Sequence, residues 1–382
     1  METSGPGVSR HIRTVKRRRW GRLRQQWKLL GLFEIDQQHE FYSLTCMMKE
    51  GLCAAVQNTI DNPLPPTLLT MISTYIFCTR QIVFWFVCDC VKDFRMETYA
   101  GPVFASLRRS LGMTEKEYQQ SLSSEGSYLQ FISNSKSKAD FFLTNDKRFF
   151  LKTQSKREVR FLLSNLRIYM EHLEKYPHSL LVKFLGEKKE KYFIVMQSVF
   201  YPDDRITARY DIKGCEVSRW TDPAPEGSQI IVVLKDLNFE GQFIQLDHQR
   251  PWLLRQVEID SAFLQTLNVL DYSLLLAHQP LHQDELTQSL SFTTLITQSA
   301  DLQTFQAQNR RLLPNFKNPL HVIDGPDQRY FIGIIDIFTV YGFKKRLEHL
   351  WKRLRHPRQT FSTVSPPAYC HRLCQWVQDH TK

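Results

Sequence analysis

The sequence lacks the long apolar segment of a membrane-spanning protein and the apolar core of a signal peptide. Its most apolar run, Ile82–Val87, is bounded by Arg80, Gln81 and Asp89, so it falls far short of the roughly 20 residues that span a bilayer. No signal-peptide core lies near the N-terminus. We therefore expect the stretch 67–91 to contain a buried strand or helix, and the protein to reside in a reducing, cytoplasmic compartment.

The eight cysteines lack the spacing of a metal-binding motif. One residue separates Cys88 from Cys90, and three separate Cys370 from Cys374, so neither pair matches a paired zinc-knuckle pattern. We interpret the cysteines as reduced thiols.

Acidic residues are in deficit. The 382 residues contain 50 Lys and Arg against 39 Asp and Glu, which gives a net charge of +11 and a pI near 9.2. This balance indicates an anionic partner, and either nucleic acid or an acidic membrane leaflet would satisfy it. No DNA- or RNA-binding signature is present, and the basic residues collect near aromatic ones at both ends. An anionic membrane surface is therefore the favoured partner, and no nucleic acid is expected.

Residues 1–35 form a basic N-terminal segment. Between Arg10 and Leu30, arginine and lysine alternate with apolar residues near a helical spacing, among them Trp20 and Trp27. One interpretation is an amphipathic helix that lies on anionic lipid. A disordered basic tail, a nuclear-import patch and a mitochondrial transit peptide remain open alternatives.

Proline and polar stretches divide the rest of the chain. The run Asn62–Pro66 disfavours helix and predicts a boundary within an N-terminal extension over 36–102. Helical spacing over Phe104–Leu111 and Glu115–Leu122, with a helix start at Thr114, marks the beginning of the main domain, 103–382. Within it, the polar segment 279–319 predicts a mobile insertion.

Two short apolar blocks each hold one carboxylate. Asp271 lies within Val269–Leu275, and Asp336 lies within Gly333–Ile337. A buried carboxylate is costly unless it is paired, so each is expected to meet a metal ion, a lysine or a hydroxyl, as phosphoryl transfer requires. Lys152, inside the strand-like run 149–153, is the candidate lysine. The alternatives are a solvent-facing lysine and aspartates that cap turns.

These blocks belong to an ordered series that resembles the phosphatidylinositol phosphate kinase family, and most closely its branch of phosphatidylinositol-4-phosphate 5-kinase-like proteins. The resemblance begins near Val103 and continues to the C-terminus. It implies an α+β, two-lobed kinase-like fold with an antiparallel sheet in the N-terminal lobe. The series consists of Phe149–Thr153, Asp211–Gly214, Lys235–Phe239, Leu270–Leu275, Gly333–Ile337 and Lys345–Lys352.

The resemblance also implies roles for individual residues, with ATP and Mg²⁺ as cofactors. Lys152 would contact the nucleotide phosphates, Asp271 would orient or deprotonate an inositol hydroxyl, and Asp336 would hold Mg²⁺. Asp211 and Asp236 could equally be structural partners of the nearby Lys213 and Lys235. The remaining nucleotide-binding positions would be Ser137 and Lys138 in the phosphate loop, Met196, Gln197 and Ser198 at the inter-lobe hinge, and Lys213 and Lys235 near the phosphates.

Two segments depart from the family pattern. Ser135–Ala139 stands where the family carries Gly-x-Ser-Gly-Ser, and both glycines are replaced. Glycine allows a positive φ and close approach to phosphate, which a Cβ hinders. Arg160 stands where an acidic partner of Lys152 is expected, whereas Glu158 should point elsewhere. Both departures predict weak or absent intrinsic activity.

A basic segment near the C-terminus is the candidate substrate- or membrane-binding surface. Glu348 occupies the family position that is tied to the choice of phosphoinositide, and basic residues surround Leu347, Leu350 and Trp351. An ordinary amphipathic helix with a solvated basic face is the alternative. The polar candidates are Lys344, Lys345, Arg346, Glu348, Lys352 and Arg353.

Two functions remain open from the sequence. The first is a membrane-associated phosphatidylinositol-4-phosphate 5-kinase-like protein that acts in phosphatidylinositol 4,5-bisphosphate synthesis. The second is a non-catalytic scaffold that binds, localises and regulates active phosphatidylinositol phosphate kinases, with which it would form hetero-oligomers. Both predict phosphoinositide partners and a cytoplasmic, peripheral-membrane location at the plasma membrane. A nucleic-acid-binding protein is a third reading that rests on charge alone.

Overall fold

Two sheets organise the chain in the computed structural model, which describes residues 30–62, 82–88, 91–132, 139–176, 178–189, 192–225, 230–283, 285 and 322–382. The basic segment before residue 30, most of the stretch 67–91, and residues 284 and 286–319 of the expected insertion lie outside the described residues. Gln279 and Pro280 belong to a strand, so these two residues are not part of an insertion as the sequence suggested.

The N-terminal lobe contains an antiparallel sheet. Its strands are β1 (Gly31–Glu34), β2 (Ile82–Cys88), β3 (Val91–Thr98), β4 (Leu129–Ile132), β5 (Phe141–Leu143), β6 (Phe149–Thr153), β7 (Phe184–Lys189) and β8 (Phe193–Gln197). Their order is β1-β4-β5-β6-β8-β7-β3-β2. The central strand β6 pairs with β8, with Lys152 opposite Ile194, so the candidate lysine lies in the middle of the sheet.

The second sheet carries the two candidate aspartates at one end. Its strands are β9 (Ala208–Ile212), β10 (Leu234–Lys235), β11 (Ser273–Pro280), β12 (Val322–Asp324) and β13 (Gln328–Ile335), in the order β10-β9-β11-β13-β12. Antiparallel pairing joins all neighbours except β10 and β9, which are parallel. Ser273 at the start of β11 pairs with Ile335 at the end of β13.

Seven α-helices are present among the described residues. They are α1 (Tyr42–Asp61), α2 (Gly101–Ser110), α3 (Glu115–Ser123), α4 (Lys156–Lys175), α5 (Arg250–Thr266), α6 (Phe343–Arg355) and α7 (Pro366–Asp379). The starts of α3 and α4 are set by capping boxes, Thr114 with Glu117 and Ser155 with Glu158. The helix start expected at Thr114 is therefore confirmed. No helix in the described ranges has the length and apolar content of a membrane span.

Packing connects the lobes. The segment before β7 pairs with β13: the Ile334 amide donates to the Leu180 carbonyl at 2.7 Å, and the Val182 amide donates to the Ile334 carbonyl at 2.8 Å. One apolar core spans residues of both sheets, and a second core lies between the N-terminal sheet and helices α1 and α3. This α+β arrangement with an antiparallel N-terminal sheet confirms the expected fold class. It also draws residues 31–61 into the N-terminal lobe.

Candidate functional site

A cleft lies between the two sheets, beside the strand β8 and the segment that follows it. The three hinge residues expected from the sequence, Met196, Gln197 and Ser198, line it together with Asp336 and Lys235. The cavity volume is about 140 Å³. Since a cavity of about 150 Å³ lined by apolar residues admits benzene, the cleft can receive an aromatic ring.

Three phenylalanines form the N-terminal wall of the cleft. Phe131, Phe141 and Phe150 come from β4, β5 and β6, and the ring of Phe131 meets the other two edge-to-face at centroid distances of 6.4 and 6.0 Å. Sequence reasoning missed them because aromatic residues in strands are the ordinary signal of a core. They make this end of the cleft apolar, which favours a flat ligand surface over a charged one.

Lys152 and Asp336 form a direct ion pair. The Lys152 side chain is 10% exposed, and its ammonium contacts Oδ1 of Asp336 and lies 5.3 Å from the centroid of the Phe141 ring. Asp336 directly follows β13 with a φ of 62°. Aspartate is one of the few non-glycine residues that tolerate this left-handed conformation. The strand-like block with one inward lysine is thus confirmed, and the lysine meets one of the two predicted carboxylates.

The Asp271 carboxylate forms ion pairs with two lysines. Nζ of Lys213 lies 3.0 Å from Oδ1, and Nζ of Lys345 lies 3.5 Å from Oδ2. Burial alone would raise the pKa of Asp271, but Lys213 and Lys345 reverse this effect and hold the pKa below its usual value. The Asp271 side chain is therefore ionised at neutral pH.

The ammonium of Lys213 interacts electrostatically with the carboxylates of both Asp271 and Asp336. Burial would lower its pKa, but attraction by Asp271, Asp211 and Asp336 outweighs burial and raises it. Asp271 precedes β11 by two residues and, like Asp336, has a φ of 62°. Because Ser273 and Ile335 are paired, both aspartates lie at the same end of the β11–β13 pair. Lys152, Asp336, Lys213 and Asp271 therefore converge.

Asp236 and Asp211 are held by Arg219, which sequence reasoning did not single out. Oδ1 of Asp236 accepts hydrogen bonds from the backbone amides of Lys213 at 2.9 Å and Gly214 at 2.6 Å, and its other oxygen pairs with Arg219. Nη2 of Arg219 lies 2.8 Å from Oδ1 of Asp211. Asp236 therefore has the structural role that the sequence left open, with backbone amides and an arginine as its partners.

The structure describes only part of the two departures from the family pattern. Glu158 caps the start of α4, where it accepts a hydrogen bond from the Ser155 amide at 2.8 Å, and Arg160 is exposed. Glu158 thus points away from Lys152, as the helical spacing predicted. The phosphate-loop candidates Ser137 and Lys138 lie outside the described residues.

Helix α6 faces the protein with its polar side. Lys345, Glu348 and Lys352 point inwards: Nζ of Lys345 lies 3.0 Å from Oε2 of Glu348, and Nζ of Lys352 lies 2.6 Å from Oε1. Burial would raise the pKa of Glu348, but its hydrogen bonds with Lys352, Thr363 and Lys345 lower it to about 2.

The outer side of α6 is apolar and basic. None of its 13 residues is buried, and Lys344, Arg346 and Arg353 point to solvent. Five large apolar side chains, which we call the apolar stripe, are 51 to 76% exposed: Phe343, Leu347, Leu350, Trp351 and Leu354. Exposed apolar residues of this density are typical of surfaces that bind a membrane or another protein.

Comparisons with known proteins identify the family. A sequence model of the family described as Phosphatidylinositol-4-phosphate 5-Kinase matches residues 122–380. The chain therefore belongs to the phosphatidylinositol-4-phosphate 5-kinase family. As the motif series suggested, it falls in the branch of 5-kinase-like proteins, because two relatives of that name align along nearly its whole length.

These relatives are similar to different extents. The human Phosphatidylinositol 4-phosphate 5-kinase-like protein 1 is 53% identical over 395 residues, which cover 100% of this chain and 98% of that protein. Its mouse namesake is 51% identical over 370 residues, covering 94% and 91%. Phosphatidylinositol 4-phosphate 5-kinase 9 of Arabidopsis thaliana is 30% identical over 362 residues, covering 75% and 44%.

Proposed function

We propose that the protein binds phosphoinositide-containing membranes and contributes to phosphatidylinositol 4,5-bisphosphate synthesis by ATP-dependent phosphoryl transfer to phosphatidylinositol 4-phosphate, with weak intrinsic activity. The observation that carries the proposal is the convergence of Lys152, Asp336, Lys213 and Asp271 beside a cleft lined by the hinge residues. Phosphoryl transfer depends mainly on such positioning and on charge neutralisation. The names of the relatives supply the substrate class.

Asp271 is the residue proposed to receive the inositol. An attacking hydroxyl must lose its proton as its oxygen bonds to the γ-phosphorus, and an ionised carboxylate within hydrogen-bond reach can orient that hydroxyl and accept the proton. Its lowered pKa favours orientation, because a weaker base takes a full proton less readily. Lys213 and Lys345 supply positive charge for an anionic substrate at the same place.

The carboxylate chemistry fits Mg²⁺. Asp336 lines the cleft, and its side chain is 40% exposed. Mg²⁺ is commonly held by one or two carboxylates together with substrate phosphates. This mode agrees with the absence, within the described residues, of three His, Cys, Asp or Glu side chains grouped around one point. Asp336 would hold the ion, which when bound neutralises charge on the transferred phosphate.

The apolar stripe of α6 supports the membrane part of the proposal. A helix with exposed leucine, phenylalanine and tryptophan beside arginine and lysine is suited to the interface of an anionic bilayer. Lys344, Arg346 and Arg353 would lie at the headgroups, each worth about 1 kcal/mol near an anionic surface. Docking in this orientation would keep the reaction site near the bilayer surface, because Lys345 on the inner side of the same helix contacts Asp271.

Radiolabel transfer tests the catalytic part. Wild-type protein and the Asp336→Ala variant are incubated with labelled ATP, Mg²⁺ and vesicles that contain phosphatidylinositol 4-phosphate. The proposal predicts incorporation by the wild type that falls at least tenfold in the variant, since a positioning carboxylate contributes orders of magnitude to the rate. No incorporation by the wild type would refute catalysis, and equal incorporation by both proteins would refute catalysis at the site that contains Asp336.

A second candidate is the non-catalytic scaffold, and specific observations favour it. Lys152 is paired with Asp336, and the helix position expected to hold an acidic partner carries the exposed Arg160. The sequence of the phosphate loop also lacks both glycines. The scaffold predicts vesicle binding and co-purification with active phosphatidylinositol phosphate kinases, without label transfer. Calorimetry with ATP and Mg²⁺ separates the two functions, because only the kinase requires binding.

A further inference from the structure

Helix α6 is fixed to the protein by polar contacts. It buries none of its residues, and its apolar stripe points to solvent. Its inner face meets the protein through Lys345 at Asp271, through His349, whose Nδ1 lies 2.8 Å from the Tyr341 hydroxyl, and through Glu348 and Lys352 at Thr363. Apart from the edge-to-face contact of the His349 ring with Phe361 at a centroid distance of 5.8 Å, the position of α6 therefore depends on a few polar side-chain contacts, because the helix packs no apolar face against the protein.

Thr363 is the centre of these contacts. Its side chain is 1% exposed; its hydroxyl donates to Oε1 of Glu348 at 2.7 Å and accepts from Nζ of Lys352 at 2.8 Å. With the 2.6 Å pair between Lys352 and Glu348, the three side chains form a closed triangle. Hydrogen bonds to charged groups are the stronger class, so one hydroxyl contributes two strong contacts.

The segment that carries Thr363 is itself anchored. The Thr360 carbonyl accepts the Val217 amide at 2.9 Å, and the Phe361 carbonyl accepts Nη1 of Arg372 at 2.8 Å. The neighbouring Ser362 hydroxyl hydrogen-bonds to Asp271. Two adjacent hydroxyls on one fixed segment therefore contact the candidate reaction-site carboxylate and the inner carboxylate of α6.

We propose that Thr363 is a positioning residue that attaches helix α6 to the reaction site, so that Lys345 lies between Asp271 and Glu348 while the apolar stripe faces the membrane. The proposal rests on the proposed function for its lipid, a phosphoinositide headgroup. Without the Thr363 hydroxyl, Glu348 and Lys352 still pair with each other but lose their direct contact with the anchored segment, which leaves Lys345 at Asp271 and His349 at Tyr341 as the polar attachments of α6. The stripe would then still bind lipid, but α6 would no longer hold the headgroup in register with Asp271.

Hydrogen exchange of the full chain tests the attachment without lipid. In Thr363→Val, amides of residues 343–355 are expected to exchange about tenfold faster, the size of effect that the loss of a charged hydrogen bond gives. Thr363→Ser restores the hydroxyl and the slow exchange. Thr381→Val is the matched control, because it removes another buried threonine hydroxyl, which bonds to the Val377 carbonyl at 2.8 Å. Unchanged exchange in folded Thr363→Val would overturn the proposal.

A double-mutant cycle and a vesicle assay complete the test. Effects of Thr363→Val and Glu348→Ala on exchange should be non-additive, because both remove the same contact; full additivity would overturn the proposal. On vesicles, Thr363→Val should retain binding to phosphatidylserine but lose the added affinity for phosphatidylinositol 4-phosphate, and Thr363→Ser should regain it. A wild type with no such added affinity would refute the proposed lipid function, while the exchange result would still decide the attachment.

Discussion

Leu354 provides the sharpest test of how the protein meets a membrane. Its side chain is 76% exposed in the last turn of α6, the largest exposed fraction in the apolar stripe. Fully burying a leucine side chain contributes roughly 1.5 to 3 kcal/mol. Insertion of the exposed part therefore contributes about 1 to 2 kcal/mol, and Leu354→Ala should weaken vesicle binding on the order of tenfold.

Co-sedimentation with vesicles of phosphatidylcholine, phosphatidylserine and phosphatidylinositol 4-phosphate measures this loss. Ile168→Ala is the matched control, because Ile168 is an aliphatic residue that is 38% exposed on α4 rather than on α6. Both variants should keep the stability of the wild type, since exposed positions rarely change it by more than about 0.5 kcal/mol. If the wild type binds vesicles and Leu354→Ala binds them as tightly as the wild type and Ile168→Ala do, insertion of the stripe is refuted.

Three further predictions concern the framework of the site. Asp236→Ala should lower the free energy of unfolding by about 3 to 5 kcal/mol, because Arg219 and backbone amides lose a buried partner. Urea denaturation measures this change, with Asp222→Ala, which removes an exposed aspartate, as the control. Burial lowers the pKa of Lys183 to about 7. Between about pH 7 and 10.5 the unfolded chain therefore binds more protons than the folded chain, so the free energy of unfolding should rise with pH in this range. The difference in urea midpoint between the wild type and Lys183→Met, measured across this range, should rise in the same way. Thr114→Ala removes the cap of α3 and should cost about 1 kcal/mol in thermal unfolding.

Much of the local structure follows from short-range patterns. The apolar run around Lys152 is a central strand, and Thr114 begins a helix, because both depend on residues within a few positions of each other. The two aspartates were also recognisable, since a carboxylate in an apolar block needs a partner. Family motifs placed these residues in one site, and the β11–β13 register brings the two aspartates to one end of that pair.

Features that depend on contacts between distant parts of the chain could not be predicted from the sequence. Lys152 and Asp336 are 184 residues apart, and their pairing depends on how two sheets meet rather than on either block. Periodicity in α6 revealed an apolar side but not its direction, because the same spacing fits a helix packed on a core. The direction follows from Asp271 and Thr363, whose polar groups attract the charged side of α6 and leave the apolar side outwards.

The charges of the site explain why the kinase and the scaffold make different predictions at the nucleotide side of the site but the same prediction at its lipid side. On the lipid side, Lys213 and Lys345 meet Asp271, and Lys345 and Lys352 meet Glu348, so this side offers ammonium groups to an anionic headgroup. The lipid side thus serves a kinase and a scaffold equally well. At the nucleotide side, ATP would have to draw Lys152 from Asp336, and the helix offers Arg160 where a carboxylate would steady the lysine. The affinity for ATP and Mg²⁺ therefore decides between them, because lipid binding is common to both.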